Sequence, residues 1–281
     1  MPHIAFFGTS EFAVSVLAIL KSRGIIPELI ITTPDKAKGR HMTLSSPPAK
    51  IWAGKNNTAF LQPDNLKDKN FIERLLRTPW DVFFVASYGK ILPKEIIEIP
   101  LQKTLNIHPS LLPKLRGSSP VQTAILEDIK ETGVTIMLID EKIDHGPIIA
   151  QKKVAISEWP SEPELENRLA EVGANLLADI LPDWLASRLE GLEQRHEGAT
   201  YTKKIEKSDA LIDLENNPYL NYRKIQAYSG WPNAYFFAER KGKKTRVSIK
   251  EASFENGILE IKKVIPEGKR EITYEEFLRG L

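Results

Sequence analysis

At 281 residues, with 27% charged residues and a formal net charge of +2, the chain has room for a large domain plus a smaller one and is no whole-surface polyanion binder. It contains no cysteine, which excludes disulfides, thiolate nucleophiles and cysteine-containing metal sites and fits a reducing, cytoplasmic setting. No run reaches the roughly 18 apolar residues of a membrane span, and the apolar opening MPHIAFFGTSEFAVSVLAILKSRG lacks a basic n-region and is split by Glu11, so it reads as a strand and a helix of a folded domain.

In the first half, apolar runs at 3–8 (HIAFFG), 28–33 (ELIITT), 80–87 (WDVFFVAS) and 105–108 (LNIH) alternate with helical patterns over 11–23 and 65–77. That alternation predicts β-α-β units and a largely parallel, Rossmann-like α/β sheet covered on both faces. Gly8-Thr9-Ser10 supplies a turn and a helix cap between the first strand and helix. It is not G-x-G-x-x-G, so no dinucleotide site is inferred. The long irregular segment 34–50, PDKAKGRHMTLSSPPAK, mixes Lys36, Lys38, Arg40, His41 and Lys50 with glycine and prolines. It follows a strand's carboxyl end, where open α/β sheets bind ligands, which marks it as a functional loop.

Beyond residue 117 the spacing predicts a helix at 120–128, strands at 133–139 and 147–156, and a long amphipathic helix over 161–189 that Pro182 should kink or end. The polar stretch 190–207 reads as a linker. Residues 208–281 form a small module with helices at 219–228 and 274–280 and strands at 234–239, 245–251 and 258–262. The basic excess of the chain gathers here, most densely in Arg240-Lys241-Gly242-Lys243-Lys244-Thr245-Arg246, which also has a plain reading as a solvated hairpin turn. The domain reading is therefore 1–189, linker 190–207 and 208–281, with a monomer as the default because no coiled coil or spare apolar helix face is evident.

The run LNIHPSLLP at 105–113 places Asn106 and His108 on one face of a strand and Leu105 and Ile107 on the other. An amide beside an imidazole suits a site where negative charge develops on oxygen. The same two side chains also fit a plain role in satisfying backbone groups at the strand's end. In IDEKIDHGPI (139–148), Asp140, Asp144 and His145 are likewise open to two readings: a turn that uses Asp and Gly for their backbone geometry, or a carboxylate that meets His108 and favours its cationic form. Spacing does not decide whether they meet. The chain has no G-x-S-x-G elbow, P-loop or H-E-x-x-H, and its 5 histidines are scattered, so metal-free acyl transfer is the chemistry these residues suit.

The ordered set Leu105–Pro113, Arg116-Gly117, Gly133-Val134-Thr135-Ile136 and Asp144-His145-Gly146-Pro147 resembles the 10-formyltetrahydrofolate-dependent formyltransferases. Within them, FFGTSEFA, the 34–50 loop, FLQPDNL (60–66), ATYTKKIEKSDALID (199–213) and PEGKREITYEEFLRG (266–280) resemble the methionyl-tRNA formyltransferase family. The resemblance implies that Asn106 and His108 bind the developing oxyanion and that Asp144 pairs with His108 and relays protons. It implies a folate pocket lined by Ser110, Leu111, Leu112 and Pro113, with Tyr88, Gly89, Ile91 and Leu92 around the pterin. Initiator methionyl-tRNA would be met by Arg40, Lys38 and Lys36 in the loop and by Lys203, Lys204, Lys243 and Lys244 in the basic carboxyl-terminal, OB-type barrel-like domain. Two departures stand out: the family's glycine soon after Ala124-Ile125 is absent, and the carboxyl-terminal domain is some tens of residues short between Glu251 and Lys262. A sugar-nucleotide N-formyltransferase, a formyltetrahydrofolate hydrolase and a non-catalytic RNA-binding module are the alternatives.

Overall fold

The computed structural model describes residues 2–38, 43–156, 159–240 and 242–280. Its elements run β1 (Ile4–Gly8), α1 (Glu11–Ser22), β2 (Leu29–Ile31), β3 (Lys36–Lys38), β4 (Thr43–Ser45), α2 (Pro48–Lys55), β5 (Ala59–Leu61), α3 (Lys69–Leu76), β6 (Val82–Ala86), α4 (Lys94–Ile97), β7 (Thr104–His108), α5 (Pro120–Leu126), β8 (Glu131–Leu138), β9 (Ile148–Ala155) and α6 (Glu162–Leu185). They continue as α7 (Pro218–Ala227), β10 (Tyr235–Arg240), β11 (Lys243–Glu255), β12 (Ile258–Pro266), β13 (Ile272–Thr273) and α8 (Tyr274–Leu278). The chain divides into two compact units, one of residues 1–116, 133–154 and 167–201, the other of 117–132, 155–166 and 202–281.

The first unit is built on a seven-stranded sheet in the order β5-β2-β1-β6-β7-β8-β9. The pairs β2–β5, β1–β2, β1–β6 and β6–β7 are parallel, and β7–β8 is antiparallel. Every residue of β1 (IAFFG) and β6 (VFFVA) is buried, as expected of parallel strands covered on both faces. The strand order reverses between β1 and β6, and their carboxyl ends are tied together. Thr9 N donates to the Ser87 carbonyl at 3.1 Å, Thr9 Oγ1 to the Tyr88 carbonyl at 2.8 Å, and Ser10 Oγ to Ser87 Oγ at 2.7 Å. This alters the reading of Gly8-Thr9-Ser10. Ser10 occupies the N-cap position of α1 but makes no side-chain cap bond, because its hydroxyl is spent across the switch point.

The 34–50 segment is less irregular than its sequence suggests. Its residues Lys36–Lys38 and Thr43–Ser45 pair as the antiparallel strands β3 and β4, and α2 begins at Pro48. The Asp35 carboxylate organises it, accepting from Gln62 Nε2 at 2.7 Å, Ser46 Oγ at 3.1 Å and Lys50 Nζ at 2.8 Å. Gln62 first and Lys50 second hold that carboxyl below its usual range. Pro182 lies in the last turn of α6, which ends three residues later at Leu185; a proline has no N–H to give to the preceding turn, so it fits a helix that is about to stop.

The second unit carries an antiparallel sheet in the order β10-β11-β12-β13, packed around Ile212, Ile225, Phe236, Val247, Ile249, Val264 and Phe277. It is a small barrel-like module. Asn217 caps α7 by accepting from Tyr219 N and Leu220 N, and Thr273 and Glu276 form a capping box on α8. The segment expected to be short holds a tight turn. β11 and β12 are long strands joined by Asn256 (φ 51°) and Gly257 (φ 82°), with Glu255 opposite Ile258, a two-residue turn whose left-handed backbone Asn-Gly adopts most readily.

One buried carboxylate in this unit has a measurable consequence. Glu162 is buried and accepts from Gln122 Nε2 at 2.9 Å. Burial, and secondarily the charge of Glu166, push it up to about 7 from an ordinary 4.5. The folded state thus holds this proton where the unfolded chain has released it, so stability is fully present below about pH 4.5 and falls as pH rises towards 7. Glu162→Gln keeps an acceptor for Gln122 and should remove this loss, stabilising the protein at pH 8 by on the order of 2 kcal/mol and little at pH 4; paired thermal melts at the two pH values check it.

Candidate active site

Strand β7 lies between β6 and β8, with Asn106 opposite Val85 on one side and Met137 on the other. Leu105 and Ile107 are fully buried and anchor the strand. On the alternate face His108 is 4% exposed, while Asn106 is only partly covered. The Asn106 carboxamide has no hydrogen-bond partner among the described residues, so both its N–H groups and its oxygen are open to a bound molecule.

The His108 ring is held from two sides. Nε2 lies 3.0 Å from the Leu115 carbonyl oxygen, which can only accept, so Nε2 carries the hydrogen. Nδ1 lies 3.6 Å from Asp144 Oδ1, longer than a hydrogen bond and within ion-pair range. Both ring nitrogens thus face oxygen atoms of the protein. Asp144 arrives on the turn between β8 and β9 with a left-handed backbone, φ 47°, a conformation aspartate tolerates better than most residues.

The loop after β7 is fixed by a polar scaffold. Ser110 N donates to the His108 carbonyl at 2.9 Å and Ser110 Oγ to the Lys114 carbonyl at 2.6 Å. Thr135 Oγ1 donates to the Ser110 carbonyl at 2.7 Å and accepts from Leu112 N at 3.1 Å; Gln151 Nε2 reaches both the Leu112 carbonyl and Thr135 Oγ1 at 2.8 Å. Ser110 and Leu112 are buried. Leu111 lies over Gly133, where a β-carbon would stand 2.5 Å from its Cδ2 and 2.3 Å from the Lys152 carbonyl oxygen.

On the neighbouring strand end, Tyr88 is buried with its ring edge-on to Phe7 at 5.5 Å. Burial pushes its phenol upward, and its hydroxyl has no partner among the described residues. Gly89 takes φ 80°. Ile91 is 73% exposed whereas Leu92 is buried. Both line a cavity of about 560 Å³ together with Leu66, Lys67, Lys90 and Glu141. Asn106, His108 and Asp144 do not line it.

A second set of residues supports the first, and local spacing gave no sign of it. Gln194, in the stretch read as linker, is 5% exposed and Arg116 1%. Gln194 Oε1 accepts from Arg116 Nε at 3.2 Å and Nη2 at 2.6 Å, while Gln194 Nε2 donates to the carbonyls of Asp144 at 3.0 Å and Gly146 at 2.8 Å. Bridges Ile148↔Leu192 and Arg116↔Tyr201 bind the same stretch to the first unit. A buried glutamine in a polar run is invisible to pattern reading; only Arg116 stood within a motif.

Of the residues expected at tRNA, Arg40 and the Lys38 side chain lie outside the described part. Lys36, Lys204, Lys243 and Lys244 are exposed. Lys203 is exposed too but pairs with Asp209 at 2.5 Å. Lys244 Nζ sits 4.6 Å from the Phe237 ring centroid, and the Arg246 guanidinium stacks 3.7 Å from Tyr235, so part of the basic run is laid over aromatic rings.

The family profile described as formyl transferase matches residues 2–181. The methionyl-tRNA formyltransferase of Thermodesulfovibrio yellowstonii is 36% identical over 99% of this chain and 95% of its own length. The chain belongs to the methionyl-tRNA formyltransferase family. Its fold is that of solved formyltransferases. The methionyl-tRNA formyltransferase of Clostridium thermocellum superposes with a TM-score of 0.64 at 17% identity, over 95% of this chain and 99% of that one. The N-formyltransferase of Helicobacter canadensis, in complex with folinic acid and dTDP-3-aminofucose, gives 0.62 at 18% identity over 97% and 99%.

Proposed function

We propose that this enzyme transfers the formyl group of 10-formyltetrahydrofolate to the α-amino group of initiator methionyl-tRNA, giving N-formylmethionyl-tRNA for translation initiation. The observation that carries the reading is an Asn106 carboxamide with no partner among the described residues beside a buried His108 that faces Asp144 at 3.6 Å, in a chain related over its full length to methionyl-tRNA formyltransferases. A tetrahydrofolate-type donor follows from the family and agrees with the folinic acid in the Helicobacter canadensis structure.

The α-amino nitrogen attacks the formyl carbon and the carbonyl oxygen becomes an oxyanion. Asn106 N–H is its first donor, because His108 Nε2–H already has the Leu115 carbonyl; His108 adds its positive charge and a shared hydrogen. Asp144 takes the proton lost by the attacking nitrogen and passes it towards N10; the new C–N bond is then already in place, and the tetrahedral intermediate collapses, re-forming the carbonyl and breaking the bond to N10, with no net proton gained. Holding both substrates in place supplies much of the remaining acceleration. Ser110, Leu111, Leu112 and Pro113, with Tyr88, Gly89, Ile91 and Leu92, form the folate pocket of this reading.

In the same reading Lys36, Lys38 and Arg40 meet the acceptor end of the tRNA, residues 190–207 connect the catalytic domain 1–189 to the domain 208–281, and Lys203, Lys204, Lys243 and Lys244 meet its phosphates. Lys243→Glu with Lys244→Glu should raise KM for methionyl-tRNA about tenfold or more, leave kcat near its original value, and lower the salt slope of log(kcat/KM) by about 1 per lost contact. An unchanged KM removes those lysines from the interface.

The amino sugar nucleotide of the Helicobacter canadensis neighbour supplies the competing substrate. With equal methionyl-tRNA and dTDP-3-aminofucose, label from the formyl donor should appear on the tRNA alone; label on the sugar assigns the enzyme to the other branch.

A further inference from the structure

We infer that Arg116 and Gln194 are positioning residues that set the two oxygen atoms between which His108 works, an inference that rests on the proposed formyl transfer at Asn106 and His108. The two acceptors facing His108 come from different loops. Leu115 O belongs to the loop after β7 and Asp144 to the turn after β8, and neither position is an easy one for a backbone: Leu115 has φ 57° and Asp144 φ 47°. A leucine in the left-handed region is strained and must be held there by its surroundings.

One stretch, 194–200, holds both. On the Leu115 side, Thr200 Oγ1 accepts from Leu115 N at 2.9 Å and the Thr200 carbonyl accepts from Arg116 N at 2.9 Å. On the Asp144 side, Gln194 spends both hydrogens of its amide on the carbonyls of Asp144 and Gly146, at 3.0 and 2.8 Å, closing the turn from either end. Its oxygen takes two bonds from the buried Arg116 guanidinium, at 3.2 and 2.6 Å. Arg116 Nη2 also donates to His196 Nδ1 at 2.9 Å, and Nη1 to the Tyr201 hydroxyl at 3.2 Å. The His196 ring in turn stacks on His145, the residue between Asp144 and Gly146, with centroids 4.1 Å apart and an 8° interplanar angle; His145 Nδ1 lies 2.7 Å from Asp140 Oδ2.

The guanidinium is therefore the common anchor of the two loops. Its residue follows Leu115 directly in the chain, and its side chain reaches the Asp144 turn through the Gln194 amide. A planar fork of fixed geometry can fix the separation of two loops in a way a flexible ammonium cannot. A catalytic pair displaced by about 1 Å loses on the order of 10²-fold in rate, so the anchor sets how well Asp144 can serve His108 without touching either substrate.

Gln194→Glu separates positioning from folding. The carboxylate still accepts from Arg116, with a stronger charge-assisted bond, but has no hydrogens for the Asp144 and Gly146 carbonyls. The uncharged Gln194→Met, of similar length, is the second variant if the first does not fold. Expected is a fall in kcat of about tenfold to 100-fold with KM for methionyl-tRNA and for 10-formyltetrahydrofolate within about twofold. In an Asp144→Asn background the same change should cost less than about twofold further, because the residue it acts through is already gone. Full activity in whichever of the two variants folds, or losses that multiply with that of Asp144→Asn, overturns the inference. If Asp144→Asn alone left formyl transfer intact, the proposed active site would fall instead, a result read from that single variant.

Discussion

Asn106→Ala lowers kcat for formyl transfer by about 10² to 10³-fold, the usual effect of removing one oxyanion donor, with both KM values little changed. The expected size follows from the carboxamide's surroundings. Asn106 has no protein partner to lose among the described residues, and Leu105 and Ile107 on the opposite face keep β7 in place, so the substitution removes a donor without disturbing the fold. An interaction made only in the transition state appears in kcat. His108→Ala should cost at least as much in rate and also some stability, because it leaves the Leu115 carbonyl unpaired and the Asp144 carboxylate without its ring partner. Unfolding curves recorded beside steady-state kinetics separate the two effects, and a normal kcat in both variants contradicts the assignment.

Gly133→Ala carries the largest expected structural effect. The new methyl would stand 2.3 Å from the Lys152 carbonyl oxygen and 2.5 Å from Leu111 Cδ2. Leu111 can turn aside, but a backbone carbonyl of the adjacent strand cannot move without separating β8 from β9. A destabilisation of about 2 to 4 kcal/mol follows from overpacking of this kind. The site should suffer as well, because Leu111 belongs to the loop that Thr135 and Gln151 hold above β7. Chemical denaturation should show the lost stability, and kinetics below the unfolding transition a raised KM for the folate donor. An unchanged midpoint would mean that β8 and β9 are not packed as described.

What the sequence revealed was set by the range over which its signals act. The all-buried strands β1 and β6, the helix α1 and the amphipathic α6 were legible, because periodicity over five or more residues reports burial directly. The short β5 and α4 were not, since three or four residues carry no period. The β3–β4 pairing was hidden because Asp35, which orders the segment through Gln62 and Lys50, acts across the fold. The departure read between Glu251 and Lys262 falls on the β11–β12 pair, where Asn256 and Gly257 make a two-residue turn.

The site divides in the same way. Alternation in LNIH placed Asn106 and His108 on one face but left their purpose open; the approach of Asp144 came from the resemblance, and in the structure it stands 3.6 Å from His108. Polarity misled at Gln194. Residues 190–207 look solvated, yet Gln194 is buried because its partners Arg116, Asp144 and Gly146 come from far along the chain. Hydrogen-bonded polar residues can occupy a core, and no local pattern marks them.

The most direct test follows tetrahydrofolate release from 10-formyltetrahydrofolate with charged initiator tRNA, with the same tRNA uncharged, and with charged tRNA and the His108→Ala enzyme. The account predicts release matched one for one by formyl-methionyl-tRNA in the first case, none above background in the second, and a rate at least about 10²-fold lower in the third. Equal release with uncharged tRNA, or an undiminished rate without the imidazole, would contradict it.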